Sequence, residues 1–260
     1  FRSTADNPDY LDEFHQLMEI EGSSRITNCP KIYFEADYQL YQNKGSVTAT
    51  ANYITGIYNN SAVIYTNESV PTQISTIFVW STADGYASGS SFDALNSFMA
   101  FRTSFTGDIA HLVALDPGGL GGVAATINGL CNSYKYCYSD IDATYNDFPT
   151  YSWTVMVVTH EMGHLFGSYH TQNCGAWVGG ALDNCYATEG GCPAGPAPVG
   201  GGTIMSYCHL TGYGINLANG FGVQPGNAIR NTISAAGCVT SCGGAPTYCL
   251  SKGASTADEW

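Results

Sequence analysis

The stretch SWTVMVVTHEMGHLFGSYH, residues 152–170, gathers three of the chain's six histidines behind a run of apolar residues. The run predicts an apolar helix through Phe166, and on a helix His160 and His164 stand one turn apart on one face. Both imidazoles can then reach a single metal ion. Glu161 follows His160 directly, which sets its carboxylate near the metal as a base for metal-bound water. Gly167 ends the helix and permits the sharp turn that returns His170 as a third ligand. Zinc is the natural guest of such a set, and three protein ligands leave its fourth position open to water, as catalytic rather than structural sites do.

The spacing H-E-x-x-H-x-x-G-x-x-H, followed by TIMSY (203–207), resembles the metzincin signature with its methionine turn. That resemblance implies a secreted zinc endopeptidase, with His160, His164 and His170 on the metal, Glu161 as the base and Met205 beneath the zinc. It also implies an α/β (α+β) fold, in which a twisted five-stranded mixed sheet and a long active-site helix stand over a smaller irregular half. The order CPKIYFEADYQLY, catalytic helix, HTQNC, DNC, IMSYC is most similar to secreted bacterial peptidases of the adamalysin (reprolysin) type, over residues 30–238. Two positions depart from that branch. Thr171 stands where it usually has aspartate, and Tyr207 resembles the tyrosine of astacins and serralysins that reaches the metal.

The likeness implies a peptide lying extended along an edge strand at Gly122, Val123 and Ala124. Residues 206–216 then help form the pocket for the side chain beyond the cut. The competing reading is a secreted binding or adhesion module with structural zinc, which would close the metal with a fourth protein ligand or lack the glutamate.

Bulk composition narrows the setting. Acids outnumber bases 21 to 8 in 260 residues, for a net charge of −13, which repels phosphate backbones and anionic membranes, so nucleic acid is not an expected partner. No apolar run is long enough to span a bilayer. Ten cysteines without a zinc-ribbon spacing predict disulfides and an oxidising compartment. The short loops 131–137, 185–192 and 242–249 suggest themselves as pairs, and Cys29 is expected in a disulfide rather than as a blocking thiolate. The opening FRSTADNPDY has no export signal, so the expectation is a monomeric mature form, secreted after loss of a signal peptide and propeptide. Calcium is a second candidate cofactor, with Asp116, Asp140, Asp142, Asp183 and Glu189 available but no EF-hand spacing.

Along the chain, 1–30 reads as a lead segment with a short helix near 10–20. The catalytic domain is expected over 31–240, divided at Gly167 into 31–167 and 168–240, with a tail at 241–260. Strands are predicted at 31–41, 74–80, 108–115 and 123–127, and helices at 46–59, 91–102 and 225–237, the last opened by Pro225 and closed by Gly237. Alternating strands and helices favour a largely parallel sheet. Residues 130–151 read as a loop. His111 reads as a packed histidine, His15 as surface, and His209 as a loop residue near the cleft.

Overall fold

The structure is a computed structural model that describes residues 26–116, 119–243 and the backbone of 250–252. The expected short helix near 10–20, with His15, lies outside the described residues. Strand β1 (Lys31–Ala36) stops at Asp37, whose carboxylate accepts the Leu40 N–H at 2.8 Å and opens helix α1 (Tyr38–Lys44). The predicted strand to residue 41 is therefore too long, because the cap satisfies a helix N–H and turns the chain. Ser46 caps α2 (Val47–Asn67), which continues past residue 59 because Ile64 and Tyr65 prolong its buried stripe.

Next come β2 (Gln73–Val79), α3 (Ser91–Phe101, capped by Ser90), β3 (Ile109–Ala114) and a short β4 (Gly122–Ala124). Strand β5 (Tyr136–Asp140) lies inside the segment read as loop, and α4 (Trp153–Leu165) and α5 (Val223–Ala235) follow. The sheet order is β4-β5-β3-β1-β2, extended by β6 (Leu250–Lys252) from the segment read as a tail. All neighbours are parallel except β4, which runs antiparallel to β5.

Alternation in the strands builds two cores. Ile32 and Phe34 of β1 with Ile109 and Val113 of β3 face α2 and α4. Tyr33, Ala110, Leu112, Tyr136 and Tyr138 face α3 through Ala94, Leu95 and Phe98. On that second face Glu35 is fully buried and accepts from Tyr33, Trp80, Tyr86 and Arg102, the last through Nε at 2.7 Å. A buried carboxylate with four donors is matched rather than stranded. The parallel sheet, buried on both faces, thus becomes a rigid support with one edge, β4, left at the cleft.

Between Gly167 and α5 the chain forms only two short 3-10 turns, Cys208–Leu210 and Leu217–Asn219, and cross-links hold it. The bridges are Cys29–Cys242, Cys131–Cys238, Cys174–Cys192 and Cys185–Cys208. Cys29 is thus disulfide-bonded as expected, but none of the three short-loop pairings forms. Cys137 cannot reach Cys131 because it sits within β5 with its thiol buried in the core, the only free cysteine among the described residues. Cys185 is taken by Cys208, 23 positions on, and Cys242 by Cys29, 213 positions back.

Most of the acids offered for calcium are engaged within the protein. Asp140 accepts the backbone N–H groups of Asp116 and Leu120, Asp116 accepts the Tyr138 hydroxyl, and Asp183 accepts from Cys185 N–H. Among the described residues no three of the five acids converge, and the one acidic group, Asp183 with Cys185 and Cys208, has its sulfurs in a disulfide. His111 is a packed core histidine, 2.8 Å from Ser139 Oγ, with its pKa pushed down to about 3 by burial.

Candidate active site

Every residue of α4 from Thr154 to Leu165 is buried, so this helix runs through the protein instead of along its surface. It ends in a Schellman turn: Ser168 N–H bonds to Gly163 O at 3.0 Å and Gly167 N–H to His164 O at 2.9 Å. Gly167 takes φ +99°, and a Cβ there would also lie 3.0 Å from Thr232 Cβ. Glycine is required on both counts. The reversed chain then carries His170 back over the helix.

His160, His164 and His170 form one group whose ligand nitrogens lie within 4.8 Å of one another, with His164 Nε2 and His170 Nε2 3.0 Å apart. Each ring is held through its other nitrogen. Nδ1 of His160 meets Ile204 O at 2.7 Å, Nδ1 of His164 meets Ser168 O at 2.7 Å, and Nδ1 of His170 meets Glu189 Oε1 at 2.6 Å. With Nδ1 engaged as the N–H donor, the three Nε2 lone pairs face a common centre. Burial, followed by the neighbouring histidines, pushes His160 well below the ordinary imidazole range, and the same causes bring His164 to about 3. Neutral imidazoles at this spacing suit zinc, whose nitrogen ligands lie about 2.0–2.1 Å away. The donor set fits that ion.

Glu161 is buried beside the histidines, and its Oε2 has no hydrogen-bond partner. Burial pushes its carboxyl well above the ordinary carboxylate range. Its side chain lies across Gly122 of β4, where an added Cβ would come within 2.7 Å of Glu161 Cγ and Cδ. The turn at 203–207 closes the floor. Met205 is fully buried, and a Cβ on Gly163 would stand 2.8 Å from its Sδ. Thr171, the departure from aspartate, donates its N–H to Met205 O at 3.1 Å and so ties the third histidine's segment to this turn. Tyr207 points its hydroxyl to within 3.3 Å of His170 Nε2, and burial, then Glu161 and Glu189, push its pKa up to about 12.

A cleft of about 700 Å³ opens here, lined by Gly122, Val123 and Ala124 on one side and Glu161, His164 and His170 on the other. A smaller lobe of about 220 Å³ adjoins it between Trp153, Met156, Val157, Tyr207 and His209.

A family model described as metallo-peptidase family M12 (Reprolysin_5) matches residues 27–214. The chain belongs to metallo-peptidase family M12. The three convergent imidazoles fit the metal that the family's name implies. No curated protein matches the M12 chain. Among solved structures, metalloproteinase-II from Bacteroides fragilis is similar over 59% of this chain and 46% of that one, at 17% identity and a TM-score of 0.38. The M12 chain thus spans under half the length of that protein. Among the described residues no helix is long and apolar enough to cross a membrane.

The histidines, Glu161, Tyr207, Met205 and residues 122–124 named from sequence border this one cleft or its floor, whereas of residues 206–216 only Tyr207 and His209 line it. The M12 site also uses groups that sequence reasoning missed. The carbonyls of Ile204 and Ser168 leave no trace in side-chain identity. Glu189 was read only as a calcium candidate, although it is one of two acids between His170 and Gly222, and this scarcity was the available signal.

Proposed function

We propose that the chain is a secreted zinc endopeptidase of metzincin type, in which Glu161 is the general base. The observation that carries this reading is the unpartnered Oε2 of Glu161, buried beside three convergent imidazoles and facing an open strand edge. When bound at the histidines, zinc supplies a Lewis acid for water and for a peptide carbonyl. The backbone of β4 pairs with an extended peptide and fixes its register across the cleft. A cation at the histidines would favour the ionised carboxylate of Glu161 against the effect of burial, and Glu161 then takes the proton of the attacking water at Oε2 and delivers it to the leaving amine. Tyr207 donates its hydroxyl to the developing oxyanion. The lobe between Trp153 and His209 receives the side chain beyond the cut, and its aromatic and aliphatic walls favour apolar groups.

The test compares the parent with Glu161→Ala and Tyr207→Phe on a peptide library. The parent should hold about one zinc per chain and lose it together with activity on chelation. Glu161→Ala should keep metal and fold while hydrolysis falls by several orders of magnitude. Tyr207→Phe removes only the hydroxyl and should lower kcat about 10²–10³-fold, the value of one oxyanion donor. Normal turnover by Glu161→Ala would overturn the mechanism, whereas a parent that holds zinc and cleaves no peptide would leave the structural-zinc reading.

A further inference from the structure

His160 and His164 are aimed by the helix that carries them, but His170 sits on irregular backbone beyond it. Something else must set its ring. We propose that Glu189 is the positioning residue for His170, and that the cross-linked loop 174–192 serves as the frame of the third metal ligand. The proposal rests on the zinc site described above and assigns Glu189 no contact with substrate.

Three sets of contacts converge on Glu189. Its Oε1 accepts from His170 Nδ1 at 2.6 Å and from Gln172 Nε2 at 3.2 Å, and Oε2 accepts from Asn173 Nδ2 at 3.2 Å. Its backbone is fixed on both sides, with Glu189 N–H on Gln172 O at 3.0 Å and Cys174 N–H on Glu189 O at 2.9 Å. The disulfide Cys174–Cys192 then closes the loop beside it, and Gly190 at φ +111° leaves room for Cys174 Cβ, which an added Cβ would meet at 3.1 Å. The carboxylate therefore cannot drift while these bonds hold.

The other two rings lean on carbonyls of continuous backbone, which no side-chain substitution removes. His170 alone depends on a side chain. That carboxylate fixes the tautomer with Nε2 free and raises the basicity of the ring. Because Glu189 is 41% exposed, its charge is screened by water and geometry carries most of the effect. Loss of such a partner typically weakens metal binding about 10–100-fold.

Zinc affinity is measured by competition with a chromophoric chelator, and the melting temperature of the metal-free protein serves as the folding check. Glu189→Ala should weaken zinc binding about 10–100-fold while the metal-free melting temperature changes little. Glu189→Gln keeps an acceptor in place and should recover part of that loss. Gln172→Ala and Asn173→Ala loosen the carboxylate but spare the His170 bond, so each should cost less zinc affinity than Glu189→Ala. Unchanged affinity in Glu189→Ala would overturn the proposal, as would an equal loss in Asn173→Ala. Should the alanine variant fail to fold, Glu189→Gln decides alone: a measurable loss supports the proposal and none overturns it. The readout is independent of turnover, so a chain whose zinc affinity depends on Glu189 yet which cleaves no peptide would defeat the endopeptidase reading and support this one.

Discussion

The side chain of Glu161 lies across a bare Cα, and that makes Gly122 a position where one methyl group matters to chemistry. An added Cβ would meet Cγ and Cδ of the glutamate at 2.7 Å, well inside van der Waals contact, and the strand backbone behind it is held by pairing with Ser139. The glutamate must therefore rotate away from the strand. Displacement by about 1 Å costs on the order of 10²-fold in rate when geometry is the catalyst's main resource. Gly122→Ala should thus lower kcat by about that factor with zinc content and melting temperature close to the parent. Glu161→Asp in the same chain withdraws one methylene and should recover part of the loss relative to either single change. A double variant whose losses simply multiply would show that the two residues do not share this space. Glu161 was readable from the local motif, but the need for glycine at residue 122 comes from a contact across 39 positions, and glycine-rich sequence around it hid the one that matters.

At the scale of elements, capping decided where the sequence reading went wrong. YQLY continues the alternation of β1, and only the carboxylate of Asp37 turns those residues into a helix. Strand β5 was unreadable for a different reason: all five residues of YCYSD are buried, so no polar alternation marks it. The long helix α4 was legible because its apolar run and its motif sit in one continuous stretch. Asp37 itself is 3% exposed, and burial pushes its carboxyl up to about 7 despite N–H bonds from Leu40 and Leu115, with Asp84 and Asp116 adding to the rise. Its unfolded value is about 3.9, so the folded pKa is raised. The stability it contributes is then fully present below pH about 4 and is lost as pH rises through about 7. Asparagine caps equally well and does not titrate. The stability of Asp37→Asn relative to the parent should therefore rise between pH 5 and 8, whatever fixed offset the amide brings. Urea unfolding at the two pH values reads this, and a difference independent of pH would mean that the carboxyl is ionised throughout.

For the whole molecule, cross-links are the feature that sequence conveyed least, because pairing by short loops ignores where the fold brings distant cysteines. Cys29 and Cys242 are 213 positions apart, whereas Cys174 and Cys192 are separated by 18. In the chain-entropy account the first closure is worth about 5 kcal/mol and the second about 3 kcal/mol. The two bridges also differ in place. Cys29 and Cys242 join the segment before β1 to the segment after α5, while Cys174–Cys192 closes the loop that presents Glu189 to His170. Stability and metal binding should then separate. The double variant Cys29→Ser with Cys242→Ser should lose more unfolding free energy, measured in urea on the metal-free protein, yet bind zinc close to the parent. Cys174→Ser with Cys192→Ser should lose less stability but more zinc affinity, because the third ligand's frame is opened while the sheet is left intact. If both variants lost stability and zinc affinity in proportion, the metal site would be responding to global stability alone, and the loop would have no particular hold on His170.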